Sequence, residues 1–231
     1  MPGVRFQVLG KNLSTGHAVA VAFPLTPGTW NLTPALIPDL QRIQIKIAAD
    51  APLGLRLEPF IEIFGRWRKE THAADWVDLA DYAHLPRGPG IVLVGQRCNV
   101  AFDLADPGPG ILYAAKKGLS GSHAERLGAA MQWCLGFSKR LIAEPEFPKD
   151  VRLRTDSLEL RFNDRLETPN TPATDAELRP AVEQVLNKLY GPGAYALRPL
   201  GNEAGIYGFT VRARKVEPLD VLIARTSERR A

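Results

Sequence analysis

Two short stretches of this sequence bring together residue types that can carry chemistry. The first, residues 78–87, contains Asp81 and His84. A carboxylate next to an imidazole fixes the imidazole tautomer and raises its pKa, so this pair has the composition of a general acid or base. The stretch also leaves a predicted strand for a turn, where Asp commonly accepts hydrogen bonds from backbone amides. We favour that structural role and keep catalysis by Asp81 and His84 as the alternative.

The second stretch places Asn163, Asp164 and Arg165 directly after a predicted strand, with Asn170 between two prolines a few residues later. The guanidinium fork of arginine binds carboxylates and phosphates through paired hydrogen bonds. Asn and Asp also structure tight turns through hydrogen bonds to the backbone, and we favour that role here. If the two stretches converged, together with Arg97, they would line the pocket of an enzyme or of a small-ligand-binding protein.

The spacing of residues in the sequence matches no other kind of functional site that we considered. The histidines stand singly and neither cysteine has a ligand close by in sequence, so no metal site is predicted. The glycine-rich patterns that cradle phosphates are missing, so no cofactor is predicted. Cys98 and Cys134 fall in unrelated contexts, one in a predicted strand and one in a predicted helix. The sequence therefore predicts free buried thiols in a reducing compartment.

A basic stretch beside an aromatic residue raises the question of nucleic acid. Arg66 and Lys69 flank Trp67, and such a mixture can stack on bases and hold phosphates. Trp67, however, falls on the apolar stripe of its predicted helix together with Phe60 and Phe64. The net charge of +4, from 29 basic and 25 acidic residues, is also too small for a dense basic face. RNA binding is therefore the least favoured of the functions considered.

Composition and hydropathy set the class of protein. Hydrophobic residues make up 45% of the 231 residues and charged residues 23%, which is typical of a globular chain. The longest apolar runs have the length of a strand, and residues 1–10 lack the apolar core of an export signal. We expect a cytoplasmic protein with no membrane span.

Periodicity and capping motifs predict an α+β fold with mostly antiparallel sheet, two long capped helices and one short helix. Ser122 and Glu125 form a capping box for a helix that ends near residue 143, and Thr174 and Glu177 form another for a helix that ends at residue 190. The short helix starts at residue 58 and ends near residue 71. Gly/Pro clusters separate short strands between residues 76 and 113, which indicates a meander. Further strands are predicted at 151–154 paired with 158–162, at 195–197 paired with 207–211, and at 219–224 as an edge.

These elements suggest four regions. Residues 1–42 hold a β-hairpin and a proline-rich connector, 43–148 an α+β lobe, 149–215 a second lobe of order strand-strand-helix-strand-strand, and 216–231 a C-terminal tail. The order of strands and helices in each lobe resembles that of a small α/β plait. The fold is therefore either one shared sheet or two plait-like lobes.

Three signatures carry a resemblance: residues 58–67 (EPFIEIFGRW), 78–95 (DLADYAHLPRGPGIVLVG) and 163–172 (NDRLETPNTP). The stretch from about residue 43 to residue 190 resembles a set of uncharacterised bacterial proteins with no assigned activity. In their pattern, histidine stands where this chain has Gly65 and Gln96. The resemblance thus implies no catalytic residue, and these departures argue against an essential imidazole at either position.

Because no catalytic constellation outweighs its structural explanation, we expect a non-catalytic protein-binding or assembly module, with a protein partner or a homo-oligomer. The alternative is the enzyme or ligand-binding pocket described above.

Overall fold

The structure, a computed structural model, describes Ile37 and residues 39–70, 76–201 and 205–227. The predicted N-terminal hairpin and nearly all of the proline-rich connector lie outside the described residues. The strands are β1 (Ile43–Asp50), β2 (Trp76–Asp81), β3 (Ile91–Gly95), β4 (Cys98–Asp103), β5 (Gly110–Ala115), β6 (Arg152–Phe162), β7 (Tyr195–Pro199) and β8 (Tyr207–Ala213). The helices are α1 (Glu58–Arg68), α2 (His123–Ile142), α3 (Pro172–Tyr190) and α4 (Leu219–Ser227).

All eight strands belong to one antiparallel sheet in the order β2-β3-β4-β5-β1-β6-β8-β7. β2 to β5 form a meander in which each strand pairs with the next along the chain. β1 lies inside the sheet because it pairs with β5 on one side and with β6 on the other. The predicted α+β class with an antiparallel sheet is confirmed, and regions 43–148 and 149–215 share that sheet.

The helices cover one face of the sheet. α1 packs on β2 and β3, α2 on β5 and β1, and α3 on β8, while α4 packs against α2 and α3. Side chains alternate along a strand, so Ile43, Ile45 and Ile47 of β1 point into the helical layer and are fully buried. The same alternation turns the intervening residues of each strand to the second face of the sheet.

One of the two predicted capping boxes is confirmed and the other is wrong. The Glu125 amide donates to the Ser122 side chain, and the Glu125 carboxylate accepts from the Ser122 amide at 2.7 Å. α3 instead begins before Thr174, because Thr171 is its N-cap and accepts from the Thr174 amide at 3.3 Å. The proline after Thr171 favours this earlier start, since proline at the first helical position has a suitable φ and needs no amide donor.

Two strand predictions are wrong. The residues predicted as two paired strands between 151 and 162 form the one long strand β6. Thr155 lies between the two predicted strands, and its hydroxyl donates to the Glu217 carbonyl at 2.6 Å, so it remains satisfied within a strand. The predicted edge strand at 219–224 is helix α4, since Leu219 and Leu222 lie one helical turn apart and are both buried.

Candidate functional site

One row of side chains on the second face of the sheet changes from apolar to polar along the strand order. The strand registers align one row of side chains across all eight strands, in sheet order Ala80, Val92, Ala101, Leu112, Lys46, Glu159, Thr210 and Arg198. The members from β2 to β5 are apolar, and those from β1, β6, β8 and β7 are polar or charged. In this row the polar side chains lie on one side of β5, whereas Asp103 of β4, on the same face, lies on the other side.

A charge cluster spans β4, β1 and β6 on this face, and it consists of the buried Lys46, Asp103 and Glu159 and the partly exposed Arg161. Lys46 Nζ is 2.5 Å from Asp103 Oδ2, and the two side chains are only 5% and 4% exposed. Lys46 also donates to the Ala105 carbonyl at 2.7 Å. Arg161 forms an ion pair with Glu159 and donates to the carbonyl of residue 106 at 3.0 Å. The loop between β4 and β5 thus supplies carbonyl acceptors to both cations.

Glu159 is the least well satisfied member of the charge cluster. Burial raises its pKa, although the charges of Arg161 and Lys46 oppose that effect. Its Oε1 lies against the Arg161 guanidinium as an ion pair but accepts no hydrogen bond of proper geometry. A carboxylate in such surroundings binds a proton more readily than an exposed one, so Glu159 makes the stability of the fold depend on pH.

Replacing Glu159 by glutamine is expected to remove this pH dependence. The folded-state pKa lies above the unfolded value of 4.5, so the stability that Glu159 contributes is present below that value and is lost as pH rises through the folded-state pKa. We therefore expect the wild type to lose stability relative to Glu159→Gln as pH rises from 4.5 through the folded-state pKa. Urea unfolding at a series of pH values measures it, with the exposed Glu167→Gln as control. A difference that stays constant with pH would contradict the raised pKa.

Asp81 and His84 lie at the end of β2 and in the following turn, and both are exposed. Asp81 Oδ1 accepts a hydrogen bond from the Ala83 amide at 2.8 Å. Asp81 and His84 form no hydrogen bond or ion pair with each other, and the His84 ring lies beside that of Tyr82 with 6.5 Å between the ring centroids. The Asp81 carboxylate is thus engaged in its own turn.

The second predicted stretch is also organised around its own backbone. Asp164 Oδ1 accepts from the amides of residues 166 and 167 at 3.2 and 3.3 Å, and Oδ2 pairs with Arg42 at 3.4 Å. Asn163, Arg165 and Asn170 are exposed. Asp164 therefore holds the turn that follows β6.

The structure does not bring the two stretches together. β3, β4, β5 and β1 separate β2 from β6, which at about 4.8 Å per strand corresponds to about 24 Å. The registers also align Arg161 with Asp78, so Asn163 lies beyond the start of β2 whereas Asp81 lies at its end. Arg97, in the turn between β3 and β4, is at the same end of the strands as Asn163. A pocket shared by both stretches does not form.

Arg66, one of the two basic residues considered for nucleic acid, has acidic partners within the chain. Arg66 donates to Glu144 at 2.6 Å and to Glu146 at 2.8 Å. Lys69 is exposed, but Trp67 is fully buried and cannot stack on a base. Arg66 and Lys69 therefore lack the accessible aromatic side chain that stacking requires.

Neither cysteine is placed to act as a nucleophile. Both are buried and unbridged. Burial raises the pKa of Cys98 to about 11 and that of Cys134 to about 12. Because the thiolate is the nucleophilic form, both thiols are protonated and unreactive at neutral pH.

An aromatic surface that the sequence reasoning missed lies at β2, and it consists of the exposed Trp133, the half-buried Trp76 and the buried Phe137 that contacts both. Trp133 projects from α2, is 56% exposed and stacks on Phe137 with 5.8 Å between ring centroids. Trp76 contacts Phe137 at the same centroid distance, and its buried Nε1 finds no hydrogen-bond acceptor within the described ranges. The available signal was the position of Trp133 on α2, off the apolar stripe that packs into the core.

Comparisons with family models, with curated proteins and with solved structures give no match for this chain. Within the part of the chain that the structure describes, no helix is both long and apolar enough to cross a bilayer, and no three acidic, histidine or cysteine side chains are grouped to hold a metal ion. The structure defines an α+β protein built on one eight-stranded antiparallel sheet. Its function is inferred from the surfaces that this sheet and its helices present.

Proposed function

We propose that this protein is a non-catalytic binding or assembly module, whose partner is another protein or a second copy of the chain. The observation that carries the proposal is Trp133, an indole more than half exposed that is held in place by stacking on Phe137. Tryptophan is enriched among the residues that dominate interface energies, and a pre-oriented ring loses little entropy on binding. The aromatic surface is thus a suitable centre for an interface.

The local roles of two candidate site residues support the same proposal. Asp81 and Asp164 are each engaged by amides of their own turns, and the two turns lie at opposite ends of the strands. A general acid or base must lie within hydrogen-bond reach of a reacting group held by its neighbours. Among the described residues, neither turn gathers such neighbours.

We propose further that the regions 43–148 and 149–215 act as two plait-like lobes, each presenting one edge of the sheet. The first ends in β2, beside the aromatic surface, and the second ends in β7. The two edges are seven strand spacings apart, about 34 Å at about 4.8 Å each. A module of this shape can hold two partners at once.

Replacing Trp133 by alanine is expected to weaken partner capture by about 30-fold, the equivalent of a ~2 kcal/mol hot spot. The tagged full chain, incubated with an extract of its source cells, is recovered and its partners are quantified by mass spectrometry. Leu166→Ala is the matched control, because Leu166 is 92% exposed in the turn after β6 and away from the aromatic surface.

Light scattering coupled to size-exclusion chromatography, applied to the same variants, tests whether the partner is a second copy of the chain. Loss of a partner or of a dimer in Trp133→Ala, but not in Leu166→Ala, is the expected result. A wild-type chain recovered as a lone monomer at several salt concentrations would overturn the proposal, as would unchanged capture by Trp133→Ala.

A further inference from the structure

Within the described part of the chain, the outer edge of β7 presents unpaired backbone groups. The Leu200 amide donates to the Gly208 carbonyl at 2.8 Å and the Arg214 amide to the Ala194 carbonyl at 2.9 Å. These bonds fix the phase of the β7–β8 ladder, so the peptide groups of Tyr195 and Leu197 point away from β8. Across the described ranges, no strand pairs with this side of β7. Two amides and their carbonyls are therefore positioned to bind an added strand.

The opposite edge of the sheet is protected against such pairing. β2 has a register irregularity between Trp76 and Asp78. The Asp78 carboxylate also accepts from the Leu79 amide at 2.8 Å, and Asp81 adds a second acid to the strand. Bulges and charged residues on edges are the devices by which proteins avoid unwanted strand addition. β7 carries no acidic residue and its pairing with β8 is regular.

Two arginines lie next to this edge on the second face of the sheet. Arg198 pairs across the ladder with Thr210, and Arg212 pairs with Ala196, so the arginines are diagonal neighbours about 7–8 Å apart. Both are exposed and lie outside the ion pairs of the described residues, and Arg212 has a longer-range electrostatic interaction with Asp156. Ala196 separates Arg212 from the edge with only a methyl group, so the longer arginine side chain can extend over it. Together they form a positive strip along β7.

We propose that β7 binds an extended acidic segment of a partner protein, which adds to the sheet as a ninth strand. The peptide groups of Tyr195 and Leu197 hydrogen-bond to the segment, as in other cases of strand addition. Its side chains alternate, so acidic residues meet Arg198 and Arg212 on the second face. Apolar residues of the segment contact Tyr195 and Leu197 on the helical face, where both pack against the core. The proposal goes beyond the aromatic surface, which lies at the other end of the sheet.

A second copy of the chain fits this edge poorly. Antiparallel self-pairing centred on Leu197 would place Arg198 of each copy near Arg198 of the other on one face, with both Arg212 side chains beside them. Like charges at neighbouring cross-strand positions are destabilising. An acidic segment instead neutralises the strip, so charge complementarity selects a different protein as the occupant.

The probe is a short fluorescent peptide of alternating glutamate and valine, titrated against the full chain and followed by anisotropy. Arg198→Glu is expected to weaken binding about tenfold, and the double variant Arg198→Glu/Arg212→Glu further. Arg165→Glu, an exposed arginine in another turn, is the matched control and should leave affinity unchanged. Thermal unfolding of each variant checks that the fold is kept.

Hydrogen exchange locates the peptide. Binding should slow exchange of the Tyr195 and Leu197 amides and leave the Asp81 amide of β2 unchanged. A peptide N-methylated at alternate amides, which cannot pair as a strand, should not bind. The proposal is overturned if no binding occurs, if the double variant binds as well as the wild type, or if the N-methylated peptide binds equally. Trp133→Ala should bind the peptide normally, so failure here and failure at the aromatic surface are separate results.

Discussion

Replacing Lys46 by methionine is expected to lower the free energy of unfolding by about 3–5 kcal/mol, the usual cost of breaking a buried ion pair from one side. Lys46 Nζ lies 2.5 Å from Asp103, and both side chains are almost completely excluded from water. Methionine is also an unbranched side chain that can occupy the same space, so the loss is chiefly that of the charge. Asp103 then remains buried without its cation. Urea unfolding measures the change, and an unchanged slope with urea concentration would show that the folded state stays compact.

Two further variants separate the charge from its packing. Asp103→Leu is expected to cost less than Lys46→Met, because Lys46 also interacts with Glu159 and keeps that acid as a neighbour. The double variant Lys46→Met/Asp103→Leu should recover most of the loss, since apolar replacement of a whole buried pair is often neutral or stabilising. A Lys46→Met loss below about 1 kcal/mol would be that of a solvated surface pair and would contradict the burial described here.

Replacing Trp67 by alanine is expected to cost about 3–5 kcal/mol of stability, as for other fully buried large aromatic residues. Trp67 has no exposed surface and packs against Phe64 and Phe137. Its Nε1 donates to Glu144 at 2.6 Å, and the Arg140 guanidinium lies 4.0 Å from the ring centroid. The substitution therefore removes core volume and a charge-assisted hydrogen bond together. Thermal or urea unfolding monitored by circular dichroism measures the loss.

Trp67→Phe and Trp133→Ala are the controls for this loss. Phenylalanine keeps much of the volume of tryptophan but leaves Glu144 without the indole donor. The free energy of unfolding should therefore fall by about 1–3 kcal/mol, which is typical of a lost hydrogen bond to a charged group. Trp133 is 56% exposed, and partly exposed side chains leave smaller cavities when they are removed. Trp133→Ala should therefore lower the free energy of unfolding by well under half as much as Trp67→Ala. Equal losses for Trp67→Ala and Trp133→Ala would contradict the distinction between core and surface on which the proposed function depends.

Local sequence motifs predicted the bounds of an element correctly where residues within that element determine them. The capping box at Ser122 fixes the start of α2, because both of its hydrogen bonds lie within four consecutive residues. The similar motif at Thr174 misled, because Thr171 and the proline after it form a better start for α3. The break predicted between residues 154 and 158 was wrong for a different reason, since Thr155 within it donates to the carbonyl of Glu217, far along the chain. Polar residues whose partners are distant in sequence resemble turn residues when only the sequence is available.

The charge cluster could not be predicted for the same physical reason. Alternation along β1 places Lys46 on the face opposite the core, which from sequence alone indicates exposure. Its burial depends on the strand order that brings Asp103 and Glu159 beside it and on the loop that covers it. The turns around Asp81 and Asp164 were predicted correctly as local structures. Their separation followed only from the position of β2 and β6 in the sheet.

The central position of β1 sets the order in which the chain can fold as it is synthesised. β1 pairs with β5, which ends at Ala115, and with β6, which begins only at Arg152. While the ribosome adds the residues between them, a half-made sheet of β1 to β5 would carry β1 at an open edge. Such an edge is a template for pairing with another nascent chain. The time needed to synthesise residues 116–162 therefore sets how long the edge of β1 stays without its second partner strand.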